Sequence, residues 1–412
     1  MPAINDLQQT NANDVISVHL NGQELGFGVG DETGLAIIES YEVKLSVFQQ
    51  PSAITVRLGW GGNVDALAKY AKPNSPFTFS IAGTKILTGV VYSRGVPTAQ
   101  STCLELKVRD YMARLFDDEI QDEISFNNKT YFSLTRTVLN IVGMTEQPNT
   151  FKLLADNDAN RAVISRAKGK KRKPKNKSQV IEQIETGVGA GGAKIVRTTI
   201  KANVGTSYYN FLQEQYKLAG LFLWCTADAN FVLARPTADQ EPAYTILVRE
   251  GQQLTAGRMV DRVYEDNATQ RHTGYIVYGR AGTGTEGRTK LVGSYVDAEM
   301  AGYGFSHNRV IHDDDVKSQA EADYVARRAC AEERRQGWKL EYTVSGHILP
   351  STKGTNGYLI WAQDMVCRVD DDDLNIHQKF YIQDVTFRRN PHMTTTIALM
   401  RPEDLVFAEG LF

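Results

Sequence analysis

Apolar and polar residues alternate with a period of two along much of this chain, the pattern of half-buried strands. Residues 15–20 alternate and run into Asn21-Gly22, a dipeptide suited to a two-residue hairpin turn because both positions tolerate positive φ. Residues 37–47, 53–58, 77–82, 85–93 and 103–108 read as further strands, with a turn at Gly83-Thr84. A short helix is expected over 63–71, ahead of Pro73. Together these define a first β-rich module, residues 14–110, behind a loose polar N-terminus at 1–13.

The period changes over residues 111–245, which read as a small α+β domain. Residues 132–142 place Leu134, Val138 and Ile141 on one helical face, and 207–219 form an amphipathic helix with Gly220 as its stop. Hairpin strands follow at 221–225 and 231–234. Between the helices lies a basic loop, 166–177, with eight Lys or Arg in twelve residues. A second β module is expected over 246–412. It contains a long helix, 316–336, with Asp313, Asp314 and Asp315 just ahead of its N-terminus and Gly337 as a stop. That helix feeds strands at 339–345, 365–369, 379–384, 385–389 and 394–401, a meander on which its apolar stripe can be buried. The fold class is therefore α+β, mainly antiparallel β, with two β-barrel-like tube modules around a small middle domain.

One internal echo suggests that the two β modules are related. ILTGVVYSRGVP followed by STCLELKVRD in the first resembles FYIQDVTFRRNP followed by TTTIALMRPED in the last. Each is an alternating strand, one or two arginines, a proline turn and an alternating return strand. Tyr92, Arg94, Phe387 and Arg388 lie on these hairpins and are the candidate inter-module or inter-subunit interface residues.

Composition narrows the chemistry. Formal net charge is −2, so no global field favours nucleic acid. The cysteines Cys103, Cys225, Cys330 and Cys367 are scattered, without the spacing of a zinc site or a disulfide framework, which suits a reducing cytosol. No basic-then-apolar leader and no apolar run of membrane-spanning length is present, so membrane insertion is not expected. Gly187-Val188-Gly189-Ala190-Gly191-Gly192 formally matches a dinucleotide fingerprint, but the β-branched KIVRTTI follows where a helix is needed. The basic loop lacks the aromatic residues that stack on bases, and reads as a solvated loop able to meet an acidic partner. His307 and His312 are five apart, the wrong spacing for one helical metal face. Asp370–Asp373 lacks the glycine and closing glutamate of a calcium loop and reads as a tight turn. Asp117, Asp118, Glu119, Asp122 and Glu123 form a charged face rather than an acid–base pair. No nucleophile elbow or Cys/His pairing appears, so neither catalysis nor a cofactor or metal is expected.

The C-terminal stretch resembles the Mu-like baseplate hub proteins of contractile phage tails. Thr343-Val344-Ser345-Gly346, Val366, Val369-Asp370, Tyr381-Ile382, Val385-Thr386-Phe387, Thr394–Thr396 and Pro402-Glu403-Asp404 match that pattern in order. The region 199–236 is similar to the family's middle domain, and 14–110 more loosely to its N-terminal strands. The basic loop has no counterpart, and 350–360 is longer than usual. The resemblance implies a non-enzymatic homotrimer in which two like modules per chain give a quasi-sixfold ring. Such a ring joins a sixfold tail tube to a threefold spike. Implied partners are the spike, tail tube, baseplate wedge and tape-measure proteins, with DNA only in transit. The implied place is the virion tail baseplate, assembled in the host cytoplasm. Rival readings are the hub of a pyocin-like or secretion-type injection particle, and a tail-associated cell-wall-degrading enzyme or glycan-binding β protein.

Overall fold

Backbone hydrogen bonding gathers most of the alternating segments into one long sheet. The computed structural model describes residues 16–25, 36–48, 51–60, 71–95, 103–127, 129–144, 151–155, 199–216, 219–249, 259–280, 290–304, 306–314, 316, 318–350 and 358–406. Residues 1–13, most of the expected helix 63–71, the basic loop 166–177 and the glycine turn 187–192 lie outside them.

The first module contributes β1 (Ile16–Leu20), β2 (Gln23–Leu25), β3 (Ala36–Ser46), β4 (Ala53–Trp60), β5 (Pro76–Ile81), β6 (Thr84–Gly95) and β7 (Cys103–Asp110). The β1–β2 turn is Asn21-Gly22 with both φ positive, as the dipeptide predicts. The middle region holds α1 (Ala113–Asp117), β8 (Ile124–Asn127), α2 (Tyr131–Ile141), β9 (Leu153–Ala155), β10 (Thr199–Ala202), α3 (Tyr208–Tyr216), β11 (Phe222–Cys225) and β12 (Phe231–Ala234). Its core is separate from that of the sheet: Leu134, Val138, Phe211, Leu212 and Phe231 are all buried within it. Phe48 bridges the two, meeting Phe222 edge-on at 5.0 Å and Tyr381 at 5.8 Å.

The second module comprises β13 (Tyr244–Val248), β14 (Met259–Asp266), β15 (Gly274–Arg280), β16 (Lys290–Val296), α4 (Ala298–Gly302), β17 (Asn308–His312), α5 (Gln319–Gly337), β18 (Trp338–Ser345), β19 (Ile348–Pro350), β20 (Tyr358–Ile360), β21 (Met365–Asp371), β22 (Ile376–Arg389) and β23 (Met393–Met400). Because β13 pairs with β21, the second module begins at Tyr244, and a boundary at 245/246 cuts a strand.

Two sets of six strands have the same order in space and in the chain. The first runs β3-β4-β7-β6-β5-β1 and the second β14-β18-β23-β22-β21-β13. The correspondence extends to irregularities. A bulge lies between Ile38 and Ser40 in β3 and between Met259 and Asp261 in β14. Another lies between Val91 and Ser93 in β6 and between Ile382 and Asp384 in β22. Asn74 and Asp364 both have positive φ, and each donates its N–H to the residue before that second bulge, Val91 O at 2.7 Å and Ile382 O at 3.1 Å. Bulges bend and twist a strand, so equal bulges at equal places mean equal curvature. One difference stands: β1 is antiparallel to β5, whereas β13 is parallel to β21. Among the described residues neither set closes on itself; they join end to side, through β3 and β22, into a single thirteen-stranded sheet.

The helix expected over 316–336 is Gln319–Gly337. Its cap is Ser318, whose Oγ accepts from Glu321 N, rather than the preceding aspartates. The helix buries its stripe on a different sheet from the one expected. Val325, Ala326, Ala329 and Cys330 pack on Tyr275 and Val277 of the small sheet β16-β15-β17, which is inserted between β14 and β18. Gly293 permits that approach, since a Cβ there would lie 2.2 Å from the Ala322 carbonyl carbon. The insertion is also held by charge. Arg271, fully buried, donates to Asp297 at 2.9 Å and Glu299 at 2.6 Å, while Glu333 accepts from Arg309 at 2.7 Å and Tyr275 at 2.5 Å.

Candidate functional site at the module seam

The seam exists because β22 changes partner midway. Residues Ile376–Ile382 pair along one edge with β21, and beyond the bulge Asp384–Arg389 pair along that edge with β3. The other edge stays on β23 through the whole second half. Six backbone positions, Asp384↔Ser46 to Arg389↔Tyr41, therefore tie the first module to the second.

On the core face of the seam lie Val43, Val385 and Phe387, all 0 % exposed. Fully burying such side chains stabilises by about 1.5–3 kcal/mol each. At its centre sits His347, also fully buried. Tyr41 Oη is 2.6 Å from His347 Nε2, His347 Nδ1 is 2.9 Å from Thr395 Oγ1, and Thr395 Oγ1 donates to Gly346 O at 2.7 Å. With Nδ1 protonated and Nε2 accepting, the chain of donors runs in one direction from Tyr41 to Gly346, and every polar atom in it is satisfied. Burial holds the imidazole at a pKa of about 4, well below the usual histidine value. Phe387 packs edge-on against the same ring at 5.2 Å.

The opposite, outer face is polar. Arg388 Nε donates to Glu42 at 2.9 Å, and Lys44 joins the same carboxylate at 2.7 Å. Two strands along, Arg57 meets Glu105 at 3.0 Å and Lys107 meets it at 3.8 Å. Lys339 pairs with Glu341 at 3.2 Å, and Arg109 reaches Asp117 while lying over the Tyr92 ring at 4.9 Å. Thr386, Thr396 and Thr343 form a row between these pairs, one on each of three neighbouring strands, with Thr343 and Thr396 in contact at 2.9 Å. The pairs are too exposed to stabilise much, about 0–1 kcal/mol each. Their effect is to cancel charge: each cation named here lies beside a carboxylate. An open groove of about 730 Å³ follows the seam on this side, lined by Glu42, Arg57, Arg388 and Thr394 and, at one end, by Arg389 and His392, which add basic groups beyond the paired ones.

The four candidate interface residues separate into two pairs. Phe387 and Arg388 sit on β22 at the seam, one on each face. Tyr92 and Arg94 lie far along the sheet on β6, Tyr92 47 % exposed and Arg94 donating to Ala71 O at 3.1 Å. The matching bulges equate Val91 with Ile382, so Arg94 corresponds to Val385 rather than to Arg388. Asp370–Asp373 proves to be a brace for the edge strand. Asp371, 0 % exposed, accepts from Arg262 Nη1 at 2.8 Å, Tyr342 Oη at 2.7 Å and Leu374 N at 3.1 Å. His312 stacks on Tyr278 at 5.3 Å, and among the described residues no cluster of three metal-ligating side chains occurs. His347 escaped the sequence reading because a lone histidine between Gly346 and Ile348 carries no motif; the signal is tertiary.

Comparison with known proteins bears on the fold. No protein-family model matches the sequence, and no curated protein matches it significantly. Among solved structures, the chain is similar to a tail protein from Neisseria meningitidis MC58, with a TM-score of 0.68 at 16 % identity over 95 % of this chain and 98 % of that one. It is equally similar to the 43 kDa tail protein of prophage MuSo2 from Shewanella oneidensis, with a TM-score of 0.68 at 17 % identity over 95 % and 99 %. The fold is a phage tail-protein fold. Both matches run nearly end to end, so this tail fold includes the paired strand sets, the middle domain and the inserted helix together.

Proposed function

We propose that the protein is a non-catalytic baseplate hub of a contractile phage tail, acting as a homotrimer. The observation that carries this reading is the duplication: two equivalent six-strand sets in one chain, in a fold shared with prophage tail proteins. Three such chains present six like modules, so a threefold assembly offers a quasi-sixfold surface to a tail tube and a threefold one to a spike. In this reading the outer face of the sheet lines the channel through which tape-measure protein and then DNA pass. Its paired charges support that role, because a wall of free cations would release counterions from DNA and retain it. The middle domain, with its own core, is the part assigned to contacts with wedge and spike proteins, and assembly takes place in the host cytoplasm. Native mass and negative-stain class averages test the proposal. A trimeric ring with a central hole and a sixfold-looking face is expected. A chain that stays monomeric, alone and co-expressed with its spike, overturns it.

A further inference from the structure

The groove on the outer face of the seam carries more hydrogen-bonding capacity than the fold uses. Its floor is a row of directly opposed positions on five neighbouring strands: Ser345, Thr394, Arg388, Glu42 and Thr55. Two residues away along β18 and β23, Thr343 and Thr396 satisfy one another at 2.9 Å. Within the groove the hydroxyls of Ser345, Thr394 and Thr55 have no such partner among the described residues.

Cationic donors are in surplus too. A guanidinium has five N–H donors. Arg388 gives only Nε to Glu42, and Arg57 only Nε to Glu105, with both side chains about half exposed, so their Nη groups stay open. Arg389 and His392, where the β22–β23 hairpin turns, border the same groove and face no carboxylate among the described residues.

We propose that this groove binds an extended acidic peptide segment of a partner protein, with carboxylates on Arg57, Arg388 and Arg389 and the backbone laid across the hydroxyl row. Strands lie about 4.8 Å apart, so a five-strand floor is about 19 Å long, the span of about six extended residues. A planar guanidinium matches a carboxylate with two parallel hydrogen bonds. The lining favours peptide over nucleic acid. Single strands are held by bases stacking on aromatic rings as well as by cations. Apart from the His392 imidazole, the one ring bordering the groove is Tyr41, 3 % exposed and hydrogen-bonded to His347 on the core side. Glu42, fixed in the floor, repels a strand with a phosphate on every nucleotide, whereas a peptide can place a neutral residue there. The groove lies within one chain, so its occupancy does not depend on the trimer.

Fluorescence anisotropy on the full chain at low ionic strength tests the site. The probes are a labelled peptide of alternating glutamate and threonine, about six residues long, its glutamine counterpart and a short oligothymidine strand. The glutamate peptide is expected to bind about tenfold more tightly than either of the others. Arg389→Glu is expected to weaken it about tenfold. Lys339→Glu, an equal charge change on the same face at the far end of β18, is expected to leave it within about twofold. Arg389→Gln, which introduces no charge, gives the same comparison if Arg389→Glu melts early, with a loss of about fivefold expected. No binding of the glutamate peptide, equal binding of its glutamine counterpart, tighter binding of oligothymidine, or equal losses from the Arg389 and Lys339 variants would each overturn the proposal.

Discussion

The buried histidine at the seam makes stability depend on pH in a way that can be isolated. His347 stays neutral in the folded protein down to a pKa of about 4, against 6.5 for an unburied imidazole. Above pH 6.5 both folded and unfolded chains carry it neutral, and the relay from Tyr41 to Thr395 is fully effective. As pH falls from 6.5 toward 4 the unfolded chain gains a proton that the folded chain refuses, so stability falls; below about 4 the loss is complete. At 1.36 kcal/mol per tenfold change in proton affinity, the loss is about 3 kcal/mol. His347→Gln removes the titration while keeping an acceptor for Tyr41 and a donor for Thr395. Urea melts of both proteins at pH 7.5, 6, 5 and 4 form the assay, with titrations elsewhere cancelling in the difference. The wild type is expected to lose about 3 kcal/mol relative to the variant between the extremes. Parallel curves would refute a neutral, relayed histidine at this position.

Other perturbations probe the same sheet. Phe387→Ala, at a fully buried seam position, is expected to cost about 3–5 kcal/mol, and hydrogen exchange should show β3 and β22 losing protection together. Asp371→Ala leaves the buried Tyr342 hydroxyl without its acceptor and Arg262 with Asp373 as its remaining carboxylate; about 1–3 kcal/mol of destabilisation is expected in denaturant melts, with β14 the first strand to exchange. Glu42→Lys with Glu105→Lys breaks the charge cancellation at exposed sites, so stability should move little, while salt-dependent retention of duplex DNA in a gel shift should appear where the wild type shows none.

Much of the strand inventory was legible because each β module buries one face, which writes burial into the sequence at a period of two. The strands of the meander follow from that, while the hairpin turn is written in the Asn21-Gly22 dipeptide and the helix Tyr208–Tyr216 in a helical period within 207–219. The partner change in β22 left a trace as well. Phe380, Tyr381 and Ile382 are consecutively buried and alternation resumes at Val385, so the sequence reads as two segments where one strand bends at a bulge. What remained hidden is tertiary. The long helix shows an apolar stripe, but the stripe does not say whether the sheet before it or after it is the partner. The duplication was visible only at one hairpin, since β3 and β14 share backbone irregularities rather than residues. A bulge or a left-handed Asn74 leaves almost no mark on hydropathy. The seam itself was half legible: Phe387 and Arg388 lie there, while Tyr41, Val43 and His347, from distant parts of the chain, gave no sign.

The two equivalent strands differ in a direction that their connectivity explains. The β3 seam is intramolecular, so its partner is present at high effective concentration and six ladder positions with a few apolar side chains suffice. Its outer-face position Glu42 can then be spent on an ion pair with Arg388 that stabilises little but sets register. At the position equivalent to Glu42, β14 carries Val263, and at Val43's it carries the larger Tyr264. Among the described residues β14 has β18 on one side alone, so these side chains stay exposed where β3 holds one ion-paired glutamate and one fully buried valine.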